Sequence, residues 1–309
     1  LSQELTEEKA LVLSILMPQI KPGFRGWRDT KRDQPRINLK YERRPIMSLI
    51  TIDREKCRKD GLCIRECPLG LLTAGPEKFP DTIENAEEQC LDCGHCIAIC
   101  PRDALSLKGI KPETLLKAQK EHTIDGEALI HLLKSRRSIR QYKDTPVPRE
   151  ELQKLLDAAG YAPTAKNQQT YGWIVMEKRD DVYSLAKLMI EGMRKADVMH
   201  SMVNAFDAGH DVVFRGAPNL IIAHAPSDSI LPQVDCTIAL TYLELAAWAR
   251  GVGTCWAGYL IMAASQNPAV EKHLGIPEGH RLYGALMAGY PKIHFHRIPA
   301  RKNRDIRWF

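Results

Sequence analysis

Long hydrophobic runs are missing from this sequence. No stretch approaches eighteen uninterrupted apolar residues, which argues against a spanning helix, and the most apolar segment, 237–252, is broken by Glu244 and Arg250. Aromatic residues are scarce, at 6%. Phe24, Trp27 and Tyr41 accompany the basic residues near the start of the chain without forming a nucleic-acid module, so neither a nucleic acid nor a membrane is expected as partner. Cysteine is concentrated instead of spread: seven of nine fall between positions 57 and 100. No export signal is recognisable ahead of them, so a disulfide framework is not expected and a cytoplasmic setting is.

Those seven cysteines form two cassettes of one frame. The second reads Cys90, Cys93, Cys96, Cys100, then Pro101; the first reads Cys57, Asp60, Cys63, Cys67, then Pro68, with aspartate at its second position. Spacings of two, two and three before proline match the ligand run of bacterial two-cluster ferredoxins, where the fourth cysteine of each run serves the other cluster. Crossing the fourth ligands assigns Cys90, Cys93, Cys96 and Cys67 to a regular 4Fe–4S cluster. Cys57, Cys63, Cys100 and Asp60 are left for an irregular one, either 4Fe–4S or 3Fe–4S. Zinc is the competing reading, but zinc sites usually pair their thiols across a longer loop. The pattern points to electron transfer.

At 309 residues, with 44% hydrophobic content, the chain suits two domains and a sizeable second core. The net charge of +6 divides unevenly: residues 1–46 hold ten Lys/Arg against six Asp/Glu, residues 47–108 eight against eleven, and the remainder twenty-six against twenty-one. Residues 1–46 read as an extension, with one amphipathic helix over 3–16 and a loosely ordered tail over 21–46. Either the extension wraps a partner or it precedes a native start at Met47; the second reading is preferred. A cluster-binding domain follows over 47–108, with strands at 50–52 and 104–107. A linker over 109–127 leads to a second domain, 128–309.

In that second domain, apolar periodicity predicts helices near 128–133, 149–159, 180–195 and 235–250, the last capped by Asp235. Leu185, Leu188, Met189 and Met193 read as a core stripe. Strands are expected at 172–176, 220–223 and 282–287. Without a regular βαβ rhythm, the class is α+β. His294 and His296, alternating with Phe295, read as the outer face of a strand. Cys236 and Cys255 read as buried thiols. Gly251-Val252-Gly253 lacks the third glycine and the preceding strand of a dinucleotide fingerprint.

Ser135-Arg136-Arg137-Ser138-Ile139-Arg140 ends the first of those helices, and guanidinium forks suit a phosphate, although cations also favour a helix C-terminus on their own account. The ordered segments around it decide: Ala162-Pro163-Thr164-Ala165-Lys166-Asn167-Gln168-Gln169, Gly216-Ala217-Pro218, Gly253-Thr254-Cys255-Trp256-Ala257-Gly258, Gly289-Tyr290-Pro291-Lys292 and Pro299-Ala300-Arg301-Lys302. Together they resemble the nitroreductase family of FMN flavoproteins, and the chain from Met47 is similar to its ferredoxin-fused branch. The resemblance implies that Arg136, Arg137, Ser138 and Arg140 hold the FMN phosphate and ribityl chain. It implies Asn167 and Gln169 beside the ring, backbone amides of Trp256, Ala257 and Gly258 near flavin N5 and O4, and Arg301 and Lys302 closing on the phosphate. It also implies a homodimer with FMN at the subunit interface. Thr170-Tyr171 stands where relatives often have Pro-Trp, so substrate shape does not carry over.

The expected fold is therefore a bacterial-type two-cluster ferredoxin domain fused to a nitroreductase-like, FMN-binding α+β domain. The expected function is reduction of an electron-poor organic acceptor (nitro compound, quinone or conjugated carbonyl) at FMN, with no catalytic protein side chain. The donor would be reduced ferredoxin or NAD(P)H. A dehydrogenase exporting electrons through the clusters and a non-catalytic electron-transfer protein are the alternatives.

Overall fold

Hydrogen bonding in the first module follows the cysteine cassettes. A computed structural model describes residues 48–309; the readings placed on residues 1–46 lie outside the described residues. Strands β1 (Ile50–Ile52) and β4 (Leu105–Leu107) pair antiparallel, Ile50 opposite Leu107. Strands β2 (Leu72–Ala74) and β3 (Pro80–Thr82) form a second antiparallel pair. Short helices α1 (Leu62–Glu66), α2 (Ala86–Gln89) and α3 (His95–Ala98) lie between them. The two cassettes repeat in backbone as well as in sequence. Lys59 and Asp92 have φ of 58° and 51°, and the N-caps Gly61 and Gly94 have φ of 69° and 71°. Glycine meets that left-handed requirement at no steric cost. Leu49, Leu71, Leu72, Ile97, Leu105 and Leu107 fill the small core.

The second module is built on a four-stranded antiparallel sheet of order β5-β6-β8-β7. Its strands are β5 (Gly172–Met176), β6 (Asn219–Pro226), β7 (Gly253–Trp256) and β8 (His280–Gly289). Helices α4 (Gly126–Ser135) and α5 (Arg149–Ala159) precede the sheet, and α6 (Arg179–Lys195) and α7 (His200–Asp207) follow β5. Helix α8 (Pro232–Ala249) lies between β6 and β7; α9 (Gly258–Gln266) and α10 (Pro268–Leu274) lie between β7 and β8. Successive side chains of β6 point to opposite faces. Leu220 and Ile222 join one core with Leu185, Met189 and Phe214, while Ile221 and Ala223 join another with Leu155, Leu240 and Leu243. Burial on both faces explains why β6 reads as a continuous apolar run.

The structure corrects two readings. Helix α8 starts at Pro232 with Leu231 as its cap residue, so Asp235 sits inside the first turn and caps nothing. Proline at the first turn is tolerated because its missing amide would be unpaired there anyway. His294 and His296 belong to no strand: residues 292–309 have no regular structure, because after the Tyr142–Pro291 bridge the segment finds no further ladder partner. The Met-rich stripe is core as expected, with Leu185, Met189 and Met193 buried.

Candidate functional site

Two thiol-lined cavities occupy the first module. One is lined by Cys67, Cys90, Cys93 and Cys96 among leucines. The other is lined by Cys57, Asp60, Cys63 and Cys100. Each cavity thus draws three positions from one cassette and the fourth from the other. In each cassette the fourth cysteine comes after a short helix, Cys67 directly after α1 and Cys100 two residues after α3. The two crossed sulfurs are held alike, since Leu71 N donates to Cys67 Sγ and Ala104 N to Cys100 Sγ, both at 3.3 Å. Among the described residues no three His, Cys, Asp or Glu side chains converge on a single-ion position.

Burial pushes the Cys96 thiol up to about 11 and raises Cys63 and Cys90 as well. Such thiols become thiolates only when cationic iron compensates the lost hydration. Asp60 is exposed; its Oδ1 accepts from Leu62 N at 3.0 Å, and its carbonyl oxygen accepts from Arg65 Nη1 at 3.1 Å.

The arginine run leaves α4 and lies along β7, with Ile139 N donating to Thr254 O at 2.8 Å. Gly253 permits this approach, because a Cβ there would stand 2.5 Å from Ile139 Cγ1. Arg136 Nη1 donates to Glu244 Oε1 at 3.2 Å, and buried Glu244 also accepts from Thr254 Oγ1 at 3.1 Å. Arg137 differs. Its Nη1 donates to Arg136 O at 2.9 Å, whereas Nε and Nη2 are buried without a partner. Buried guanidinium donors normally find an acceptor, so this pair fits an anionic group. Ser138 is half-buried and Arg140 exposed.

The loop 164–170 is strained and anchored. Lys166, Asn167 and Gln169 have φ of 50°, 54° and 50°. Ala165 N donates to the buried Asp235 Oδ1 at 3.0 Å, Gln169 N to Thr164 Oγ1 at 3.1 Å, and Ile230 N to Gln168 Oε1 at 3.1 Å. Left-handed non-glycine residues cost roughly 1–3 kcal/mol each and persist only where the surroundings enforce them. Gln169 Nε2 donates to Asn167 Oδ1 at 2.9 Å, and Asn167 Nδ2 donates across the module boundary to Leu91 O at 3.0 Å. Leu91 lines the cavity of Cys67, Cys90, Cys93 and Cys96.

The remaining expected residues divide. The Ala257 amide is taken up by Ala285 O at 2.9 Å. Of the stretch 256–258, Ala257 thus has its amide engaged in the sheet, whereas Gly258 at the start of α9 has no intrahelical partner for its own. Arg301 and Lys302 are exposed, and among the described residues no hydrogen bond or ion pair joins them to the arginine run. Sequence reading missed Asp235, Glu244 and Leu91 as anchors. For the first two a signal existed: carboxylates within an apolar helix are buried only when paired.

The nitroreductase family model matches residues 133–290, more than half of the chain. This chain belongs to the nitroreductase family. As an FMN-dependent oxidoreductase of the nitroreductase family, it also carries a 4Fe–4S dicluster domain, matched over residues 49–101. A protein of Archaeoglobus fulgidus named as an NADH dehydrogenase/NAD(P)H nitroreductase is 31% identical over 181 residues, covering 58% of this chain and 95% of the relative. An uncharacterized ferredoxin of Methanocaldococcus jannaschii is 34% identical over 64 residues, covering 21% and 83%. A solved nitroreductase with bound FMN from Bacteroides fragilis aligns at a TM-score of 0.49 and 24% identity, covering 58% and 98%. Among the described residues no helix is long and apolar enough to cross a membrane.

Proposed function

We propose that this nitroreductase-family chain reduces an electron-poor organic acceptor (a nitro compound, quinone or conjugated carbonyl) with electrons relayed through its own clusters. One observation carries the reading: the 3.0 Å hydrogen bond from Asn167 to Leu91 O ties a cluster loop to the loop that the family places beside the flavin ring. Iron–sulfur clusters carry single electrons, and FMN, when bound, exchanges both single electrons and pairs.

Cys67, Cys90, Cys93 and Cys96 are the proposed ligands of one 4Fe–4S cluster. Cys57, Cys63 and Cys100, with Asp60, are those of the other. Arg137 would meet the flavin phosphate with its two unpartnered donors, assisted by Arg136, Ser138, Arg140, Arg301 and Lys302. Asn167 and Gln169 would orient the ring edge, and the amides of 256–258, chiefly Gly258, would favour negative charge there. Free thiols throughout the described residues suit a reducing, cytoplasmic compartment.

A homodimer is part of the proposal. Leu129, Ile130 and Leu133 of α4 and Ile298, Ile306 and Trp308 of the tail are exposed, which a second subunit would cover. Light scattering of the purified chain should return twice the 34.9 kDa chain mass; a monomer at all concentrations would contradict it.

The activity test is direct. Anaerobic protein is mixed with NADH, NADPH or reduced ferredoxin, and flavin bleaching is followed; candidate acceptors are then added. Reoxidation by one acceptor class supports the reading, and no reoxidation by any of the three sinks it.

A further inference from the structure

The two thiol cavities differ in their surroundings, and one of them is joined to the flavin module by a hydrogen bond. The cavity of Cys67, Cys90, Cys93 and Cys96 is lined by apolar side chains and His95, and its Leu91 carbonyl is capped by Asn167 of the second module. The sequence beside it, 84–92, carries Glu84, Glu87, Glu88 and Asp92 with no Lys or Arg. The cavity of Cys57, Asp60, Cys63 and Cys100 is lined instead by Arg58, Lys59 and Arg102, all exposed. Among the described residues Arg58, Lys59 and Arg102 make no ion pair. Lys59 Nζ lies 4.1 Å above the Phe79 ring, and Arg54 lies 4.8 Å from the same ring. Arg54 reaches Glu77 only at 3.9 Å with both side chains exposed, and Lys56 is shared by Asp53 and Glu113. A module acidic in total therefore shows, at one cluster position, three exposed cations against the single carboxylate of Asp60.

We propose that this rim is the docking face for an acidic one-electron carrier protein. The inference rests on the relay reading and adds its polarity: the irregular cavity is the outer station and the regular cavity the flavin-side station. Each docking oxidises the carrier by one electron and reduces this chain by one. Two dockings, with two protons from solvent, match the two-electron reduction of one acceptor. Rim charges act chiefly on encounter rate and salt dependence. Arg58 and Arg102 are well placed for this, since both line the cavity of Cys57, Cys63 and Cys100.

The test uses the full chain, loaded with clusters and flavin under anaerobic conditions, and an acidic bacterial two-cluster ferredoxin as probe. Calorimetric titration should show affinity falling about tenfold or more as salt rises from about 0.03 to 0.3 M. The Arg58→Glu/Arg102→Glu variant should lose about tenfold at low salt, with Lys154→Glu on α5 unchanged. Iron content is measured in parallel, because Arg58 adjoins Cys57 and Arg102 lies two residues after Cys100. A variant-free arm protects the result: carbodiimide coupling of wild type to the ferredoxin should link its carboxylates to Lys59.

Equal affinity for wild type and the double variant, or coupling confined to lysines after residue 125, overturns the docking face. Tighter binding at the same salt to a single-stranded DNA 20-mer or to phosphatidylglycerol vesicles overturns the choice of partner. A dithionite titration reads the relay separately. If cluster and flavin absorbances re-equilibrate while ferredoxin binds elsewhere, the relay stands and the docking face fails; without re-equilibration, the relay itself fails.

Discussion

Arg137 and Asp60 are the two residues whose chemistry is least explained by the protein alone. Arg137 holds two buried donors without acceptors. Charge-assisted hydrogen bonds contribute about 1.5–3 kcal/mol, so Arg137→Ala should weaken FMN retention by roughly 10- to 100-fold. Fluorescence titration of released flavin measures this, and unchanged retention would place the phosphate elsewhere. Asp60 offers a hard oxygen where its counterpart, Cys93, offers a thiol, and oxygen holds cluster iron less firmly. Mild oxidation should give a 3Fe–4S EPR signal that ferrous iron under reducing conditions removes. Asp60→Cys should suppress that signal; identical oxidation behaviour in both proteins means Asp60 has no role at the cluster. The cysteines were legible in sequence because their spacing is local. Glu244, Asp235 and Leu91 were not, since each meets its partner across 108, 70 and 76 residues, and no periodicity reports a contact of that range.

Strands β6 and β8 carry a pH-sensitive pair. His224 Nδ1 stands 3.0 Å from His280 Nδ1, and burial, then the neighbouring imidazole, lowers the His224 pKa from its ordinary value. The folded chain then binds fewer protons than the unfolded chain at mildly acidic pH. This contribution to stability is complete above about pH 6.5 and is lost as pH falls below it. Urea midpoints measured from pH 7.5 to 5.5 should fall more steeply for wild type than for His224→Gln; parallel curves would count against the pair. Helix α5 and strand β5 were readable, and lie at 149–159 and 172–176 as their periodicity suggested. Helices α7, α9 and α10 and strand β7 were missed. Each is short, and in Gly253–Trp256 the glycine is set by the approach of Ile139, a tertiary demand that local propensity does not encode.

At the scale of the whole molecule, the relay predicts a separable role for each module. Deleting residues 1–108 should leave FMN bound, because none of the proposed flavin residues lies there, and should abolish reduction by ferredoxin while direct reduction by NAD(P)H persists. Stopped-flow traces at 450 nm decide it, and a truncated chain still reduced by ferredoxin at the full rate would contradict the relay. The same separability has a geometric root in the β1–β4 ladder. Because Ile50 is the register partner of Leu107, the chain begins and finishes the cluster module at points about 5 Å apart. A segment closed on itself in this way can be gained, lost or exchanged between genes as one piece. Its host sheet need not be rerouted, and the hydrogen bond between Leu91 and Asn167 is one join that a transplanted piece would have to rebuild.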